Sequence, residues 1–481
     1  MSHNKNVLSQ WINGAWHASQ STFKIFDPGQ KFQQIGEIYE ATEAQVNTCV
    51  EAANRAQKDW CRTLPNERAE RLQKAADIIA QNQPELTRLL CLEQGMLQKD
   101  TARDVRNAIT ALREAADIGL DYLAEQHHED AQSRLLIMQR PRGVVAAMIP
   151  WNAPMSLCFG KLGPALMTGN SIIVKPSPGA PLGLTRALTE ISTLFPEGTI
   201  NVVQGTLAGS WLARHSGVHK LSFTGSIENG VAVLQAAAAT LKHVTLELGG
   251  NDPALILPDA PAEATVANIF RQAMTRTGQY CYAIKRVYVP EHQYLEYCER
   301  FHMVGQHSRV GYATDESANM APLHHQYLFD RINQLASAAM AAGAHVKTVG
   351  QFCAQTDPHT GFYMLPRIVS GIDADHPLVQ TEQFGPILPI VPYRDIEQGI
   401  AFCNQSRYGL GASIWSADTA VAEQLLERIK TGVGFVNSHK RTPLGDRKMP
   451  FGGSKMSGLG RTRTHIGFAE YTETYARSTL L

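Results

Sequence analysis

The chain has 481 residues, enough for two or three domains at about 150 residues each. Apolar residues make up 44% and charged ones 18%, a soluble globular composition with a sizeable core. Lys plus Arg and Asp plus Glu balance at 44 each, so no long-range field gathers nucleic acid or an anionic membrane.

The opening stretch, MSHNKNVLSQWING, lacks the apolar centre of a signal peptide, and no run approaches the roughly 18 apolar residues of a membrane span. Residues 41–120 carry apolar side chains at helical spacing, as in EAQVNTCVEAANRAQKDW and ERAERLQKAADIIAQN. RLLIMQRPRG (134–143) reads as a strand-like arm interrupted by Pro141. From Val144 short β-branched runs alternate with helices: VVAAMI (144–149), SIIVKP (171–176), TINVVQG (199–205), KLSFTG (220–225) and VTLELGG (244–250). Five such runs separated by helices predict a parallel sheet of right-handed βαβ units. A second α/β region follows Asn251 and extends to about Arg461, and the tail TETYARSTLL (472–481) is strand-like again. The arm and tail are expected either to pair with a partner subunit or to edge the main sheet.

The eight cysteines are scattered, with no CxxC pair and no zinc-like spacing, so no metal site is expected. A protein of this size needs no disulfide staples, and reduced thiols in a cytoplasmic setting are the expectation. Seven cysteines read as small core hydrophobes. Cys281, in TGQYCYAIKR, stands in a turn between Tyr280 and Tyr282 and shortly after Gly278; it is the candidate nucleophile.

In an open parallel sheet, ligands bind beyond the carboxyl ends of the strands. IPWN, VKPSP and FTGSIENG fall at such ends. The last opens a helix whose free N–H groups suit a phosphate, although Ser226 also reads as an ordinary N-cap. Lys175 follows SIIV at the mouth of the sheet, where a ribose hydroxyl or phosphate would meet it.

Taken together, IPWN (149–152), VKPS (174–177), FTGS (223–226), LELGG (246–250), GQYC (278–281), EQFGP (382–386) and PFGGSKMSG (450–458) resemble the NAD(P)-dependent aldehyde dehydrogenase superfamily. The motifs run in that family's order over nearly the whole chain. The resemblance implies a Rossmann-type parallel-sheet cofactor domain (1–122 and 142–249), a second α/β catalytic domain (250–461) and an oligomerisation arm and tail (123–141 and 462–481). It implies Cys281 as the nucleophile, which forms a hemithioacetal and then a thioester. It also implies Asn152 as an oxyanion donor beside the Cys281 N–H, the loss of such a donor costing about 10²–10³ in rate. Glu247 matches the base that activates water. Partial burial of Glu247 is expected to raise its pKa toward the working pH.

For the cofactor, the resemblance assigns Ile149, Trp151, Lys175, Ser177, Gly225, Ser226, Leu248, Glu382 and Phe384. Lys175 is expected on the adenine ribose, Ser226 near the pyrophosphate, and Glu382 on the nicotinamide ribose with Phe384 beside the ring. Pro178 stands where many NAD-preferring relatives carry a glutamate, so NAD is favoured with NADP tolerated. Ala153, Leu157, Gly160, Tyr280, Tyr282 and Phe451 are assigned to the substrate pocket. Ala153 and Gly160 replace bulkier residues there, which widens the pocket for a medium or large aromatic or aliphatic aldehyde. A competing expectation, a semialdehyde acid, comes from His439, Lys440 and Arg441 in NSHKRTPLGDRKMPFGG. Two other classes are a cysteine-dependent ester hydrolase, for which none of the 17 histidines sits in a partner motif, and a catalytically silent binding protein. A small-molecule aldehyde and a second copy of the chain, as homodimer or homotetramer, are the expected partners.

Overall fold

The structure, a computed structural model, describes residues 6–439 and 448–481. The five β-branched runs form the strands Val144–Met148, Ser171–Lys175, Ile200–Val202, Lys220–Thr224 and His243–Glu247, all mutually parallel where they pair. Their order across the sheet is 243–247, 220–224, 144–148, 171–175, 200–202. The order therefore reverses at Val144–Met148, and it is beside such a reversal that a crevice opens. Helices cover both faces, so every residue of Val144–Met148 is buried and the strands read as unbroken apolar runs.

Antiparallel strands extend both edges of this sheet. Gln10–Ile12 and Ala15–His17 add at one side, and Gly458–Leu459 pairs with the last residues of His243–Glu247 at the other. The N-terminal strands, including Thr22–Asp27 and Gln30–Tyr39, precede the helical stretch, which resolves into four helices, Glu43–Trp60, Pro65–Gln81, Gln83–Gln94 and Gln98–Tyr122.

The second α/β region builds a seven-stranded sheet in the order 345–348, 367–370, 387–393, 284–290, 252–256, 411–415, 433–436. Only its edge strand His345–Thr348 runs antiparallel to its neighbour. The arm and tail are not edges of either large sheet. They pair with each other, Thr472–Leu480 antiparallel to Ser133–Pro141 from Thr472↔Pro141 to Leu480↔Ser133, with Gln126–Glu129 on the other side. Pro141 ends the arm strand rather than interrupting it. Nothing in either segment's own pattern distinguishes this mutual pairing from an edge of the main sheet.

Six of the seven background cysteines are buried, as small hydrophobes should be; Cys61 is only half-buried, at a helix C-terminus, with its Sγ on the Lys58 carbonyl. Among the described residues no helix is long and apolar enough to cross a membrane.

Candidate active site

A cleft of about 1130 Å³ opens beyond the carboxyl ends of the first sheet's strands. Ile149, Trp151 and Asn152 reach it from Val144–Met148, Lys175 and Ser177 from Ser171–Lys175, Gly225 and Ser226 from Lys220–Thr224, and Glu247 and Leu248 from His243–Glu247. Cys281, Glu382 and Phe384 line it from the second region, and Leu157 also lines it. Motifs scattered over nearly half the sequence thus meet in one crevice.

The IPWN turn is held by its neighbours. Its helix, Pro154–Met167, begins with proline and has no side-chain cap of its own. Buried Asp104, on Gln98–Tyr122, supplies one by accepting from the Met155 and Ser156 N–H groups, each at 3.1 Å, and from Ser156 Oγ at 2.6 Å. A carboxylate at a helix N-terminus satisfies orphan donors and suits the dipole. Asn152 Nδ2 donates to the Gln279 carbonyl at 3.1 Å, which ties the candidate oxyanion donor to the turn that carries Cys281 and leaves its second N–H for the cleft.

The turn before Cys281 is strained. Arg276 and Thr277 adopt left-handed φ of 51° and 59°, a conformation that costs on the order of 1–3 kcal/mol per non-glycine residue. Four hydrogen bonds hold them there. The buried Arg276 guanidinium donates to the Asn152 and Asp100 carbonyls, and Thr277 exchanges two hydrogen bonds of 2.9 Å with the Ala321 backbone. Gly278 follows at φ +77°, and a Cβ there would lie 2.3 Å from the Gly385 carbonyl oxygen. Among the described residues the Cys281 N–H has no acceptor, so it remains available to an oxyanion.

Burial pushes the Cys281 thiol up to about 12; Lys285 pulls it down, while Glu382, Glu247 and Asp252 add to the rise. Lys285 is itself buried, with its Nζ donating to the Tyr280 carbonyl at 2.6 Å and the Ala283 carbonyl at 3.3 Å. It fastens the turn of the candidate nucleophile from behind, and burial lowers its own proton affinity against the pull of Glu382 and Asp252.

Glu247 is buried at the end of its strand and forms an ion pair with Lys161, also buried, from the helix Pro154–Met167. Thr224 Oγ1 and Thr462 Oγ1 each donate to it at 2.9 Å. Burial alone would raise the carboxyl, but the charge and hydrogen bond of Lys161 and the two threonines outweigh it and hold Glu247 below its ordinary value. The expected upward shift is therefore reversed, because a sequence shows that a glutamate is buried without showing the cation buried with it.

On the cofactor side, Glu382 accepts from the Gly250 N–H at 3.3 Å, and burial lifts its carboxyl to about 7 while Lys285 and that N–H pull it down. A Cβ on Gly249 would lie 2.1 Å from Glu382 Oε2, so the LELGG glycine makes room for this carboxylate. Phe384 stands edge-on to Trp151, with ring centroids 5.7 Å apart. Burial lowers the Lys175 ammonium to about 8, with Glu40 opposing; Glu40 itself accepts from the Thr206 N–H and Oγ1 at 3.1 and 2.7 Å. Ser226 caps the helix Ile227–Ala238, with its Oγ accepting from the Asn229 N–H, and also lines the cleft, so its two readings coexist. The PFGGSKMSG strap clamps LELGG: Ser457 offers its carbonyl to the Leu248 N–H and its hydroxyl to the Gly249 carbonyl.

A second cavity, of about 860 Å³, is lined by Tyr280, Tyr282, Ser156 and His439. Because Cys281 lines the first cavity and its two neighbours the second, the nucleophile turn stands between them. Tyr282 packs on Tyr280 and Phe451 with centroids 4.6 and 5.3 Å apart. Ser156, Leu157 and Gly160 form the partly exposed stripe of an otherwise buried helix, and a Cβ on Gly160 would meet nothing within 4 Å. Ala153 is buried at that helix's start and lines neither cavity. Lys440 and Arg441 lie outside the described residues.

Sequence reasoning missed Lys161, Thr462, Lys285, Asp104 and Asp252. One signal for Lys161 was present, a lone charge in the apolar stretch LCFGKLGPAL.

Comparison with known proteins agrees with this geometry. Residues 16–476 match the aldehyde dehydrogenase family. The aldehyde dehydrogenase-like protein C922.07c of Schizosaccharomyces pombe is 31% identical over 476 residues, covering 98% of this chain and 94% of that one. The betaine aldehyde dehydrogenase of Staphylococcus aureus in complex with NAD+ superposes with a TM-score of 0.93 at 27% identity, covering 98% of this chain and 94% of that one. The NAD-dependent aldehyde dehydrogenase of Sinorhizobium meliloti gives a TM-score of 0.93 at 27% identity, with 99% and 95% covered. The chain belongs to the aldehyde dehydrogenase family of oxidoreductases.

Proposed function

We propose that the chain oxidises a medium or large aromatic or aliphatic aldehyde to its carboxylic acid, with NAD(P) as acceptor of the hydride and water as acceptor of the acyl group. The observation that carries this reading is the convergence of Cys281, Glu247, Asn152 and every residue assigned to the cofactor on one cleft. An aldehyde carbon has no leaving group but hydride, so a nucleophile must add first. The Cys281 thiol gives its proton to Glu247, which passes it on to solvent, as the sulfur adds to the carbonyl carbon; the carbonyl π pair becomes an oxyanion, which is met by the Asn152 Nδ2–H and the Cys281 N–H. Bound NAD(P) supplies the hydride acceptor. Lys175 and Ser177 would hold its adenine ribose, the helix start at Ser226 its pyrophosphate, and Glu382 its nicotinamide ribose. Loss of hydride leaves a thioester on Cys281, and Glu247 takes the proton from the water that cleaves it. The ion pair with Lys161 keeps Glu247 ionised but weakens it as a base, so its release from Lys161 belongs to this second half-reaction.

Pro178 lines the cleft near Lys175 and carries no charge of its own, which supports use of NADP alongside NAD, while the Glu40 carboxylate that acts on Lys175 favours NAD. The second cavity's volume of about 860 Å³ supports a large substrate, although Gly160 and Phe451, like Ala153, line neither cavity. A quaternary ammonium, as in betaine aldehyde, fits less well, because Lys99, Arg103, Arg271 and Arg276 line the second cavity. Lys99 and Arg103 of that lining favour, as a second reading, a semialdehyde acid. The exposed arm and tail sheet supports a homodimer or homotetramer, and eight free cysteines support the cytoplasm. The three-part division at 1–122 with 142–249, 250–461, and 123–141 with 462–481 is kept as part of this proposal.

The test is NAD(P)H formation with a panel of aldehydes and both cofactors, using the wild type and Cys281→Ala. Benzaldehyde and medium-chain aldehydes should give higher kcat/KM than acetaldehyde, NADP should serve within about 10³-fold of NAD (about 4 kcal/mol), and Cys281→Ala should be inactive. Turnover by Cys281→Ala, or ester cleavage without any cofactor-dependent oxidation, refutes the reading.

A further inference from the structure

His439 lines the second cavity, is 1% exposed, and packs against Tyr282 with ring centroids 6.4 Å apart. Its Nε2 lies 3.1 Å from Asp252 Oδ2. Asp252, equally buried, is fixed at the start of the strand Asp252–Ile256 and accepts the Gly411 N–H on its other oxygen at 3.0 Å. The Asp252 carboxylate can only accept, so Nε2 carries the proton and Nδ1 presents a lone pair. That Nδ1 is buried and has no hydrogen-bond partner among the described residues.

The other polar groups of this cavity are largely occupied. The Tyr280 hydroxyl donates to that of Tyr282 at 3.3 Å, the Arg276 guanidinium is spent on the Asn152 and Asp100 carbonyls, and Arg271 donates to Asn268. Among the described residues no donor meets His439 Nδ1, close to flat aromatic walls and next to the turn that carries Cys281. We propose that His439 Nδ1 accepts a hydrogen bond from a hydroxyl on the substrate, and that the aldehyde taken is a hydroxylated aromatic one with its ring against Tyr280 and Tyr282. The inference rests on the reading of Cys281 as an aldehyde-oxidising nucleophile and adds the substrate class to it.

The test compares kcat/KM for 3- and 4-hydroxybenzaldehyde, benzaldehyde and 4-carboxybenzaldehyde in the wild type, His439→Phe, His439→Gln and Asp252→Asn. The readout is the ratio of hydroxylated to unsubstituted substrate within each protein, so that any common loss cancels. In the wild type the better hydroxybenzaldehyde should lead by about 10–100-fold, the range set by pairing a buried acceptor. The ratio should fall to near unity in His439→Phe and be partly kept in His439→Gln, which retains an acceptor. Asp252→Asn should also lose it, because the tautomer is no longer fixed. A wild-type ratio at or below one, a ratio that survives in both His439→Phe and Asp252→Asn, or a lead for 4-carboxybenzaldehyde overturns the proposal. Oxidation of benzaldehyde without a hydroxyl preference sinks this inference alone; no oxidation of any aldehyde sinks the enzymatic reading as well.

Discussion

Replacing Lys161 by methionine keeps the length of the side chain and removes its charge, leaving Glu247 buried without its ion-pair partner. Breaking such a pair from one side typically costs about 3–5 kcal/mol. The two threonine hydrogen bonds remain, and Glu247 can escape part of the cost by taking up a proton. The cost must therefore depend on pH, and its sign follows from the direction of each shift. In the wild type Glu247 is held below its ordinary value of 4.5, so it stabilises the fold above that pH and loses the contribution only as pH falls through the depressed value. In Lys161→Met burial dominates and the carboxyl rises above 4.5, so its contribution is present below that pH and is lost as pH rises. The variant's deficit in thermal midpoint, compared at one scan rate and protein concentration, should be small at pH 5 and grow toward pH 8. Adding Glu247→Gln should restore much of it at pH 8, since no buried charge is then left unpaired. An equal deficit at both pH values, or no rescue by the second substitution, would refute the account of this pair.

The pKa of Glu382, near 7, places a titration within the working range. If its carboxylate holds the ribose hydroxyls, the KM for NAD should rise as pH falls below about 7, and Glu382→Gln should raise KM and flatten that dependence. Gly278→Ala would put a methyl group 2.3 Å from the Gly385 carbonyl oxygen at a φ of +77°. Backbone strain there should destabilise the protein by about 1–3 kcal/mol, and displacement of the nucleophile turn should cost on the order of 10² in kcat; a variant with wild-type kcat and midpoint would show that the turn tolerates a side chain.

What the sequence disclosed and what it hid divide on physical grounds. The five strands from Val144 to Glu247 were legible because strands buried on both faces read as short, unbroken β-branched runs. The cleft was legible because a parallel sheet brings its strand ends to one edge, so motifs far apart in number are close in space. The N-terminal strands were passed over although TFKIFD and KFQQIGEIY alternate in character; a half-exposed strand with glutamine and lysine on its open face gives a weaker signal. Long-range partners were hidden altogether. The proton affinity of Glu247 depends on Lys161 eighty-six positions away in the chain, the cap on Pro154–Met167 depends on Asp104 in another helix, and the tail's partner is the arm more than three hundred residues earlier. No local pattern encodes such pairings. The dyad of Asp252 and His439 belongs with them, since each residue alone looks unremarkable in the text of the chain.

The first sheet is closed by material from the far end of the chain. Gly458–Leu459 pairs beside Glu247, Thr462 bonds its carboxylate, the Tyr471 carbonyl accepts from Asn170, and Thr472–Leu480 lies on the arm. During synthesis, residues 126–249 therefore leave the ribosome with one sheet edge bare and one edge of the arm unpaired, and they stay so while some two hundred further residues are made. The nascent chain carries an open, apolar, pairing-competent surface for that whole interval. The first sheet and the arm reach their final form only when residues 458–480 have been delivered.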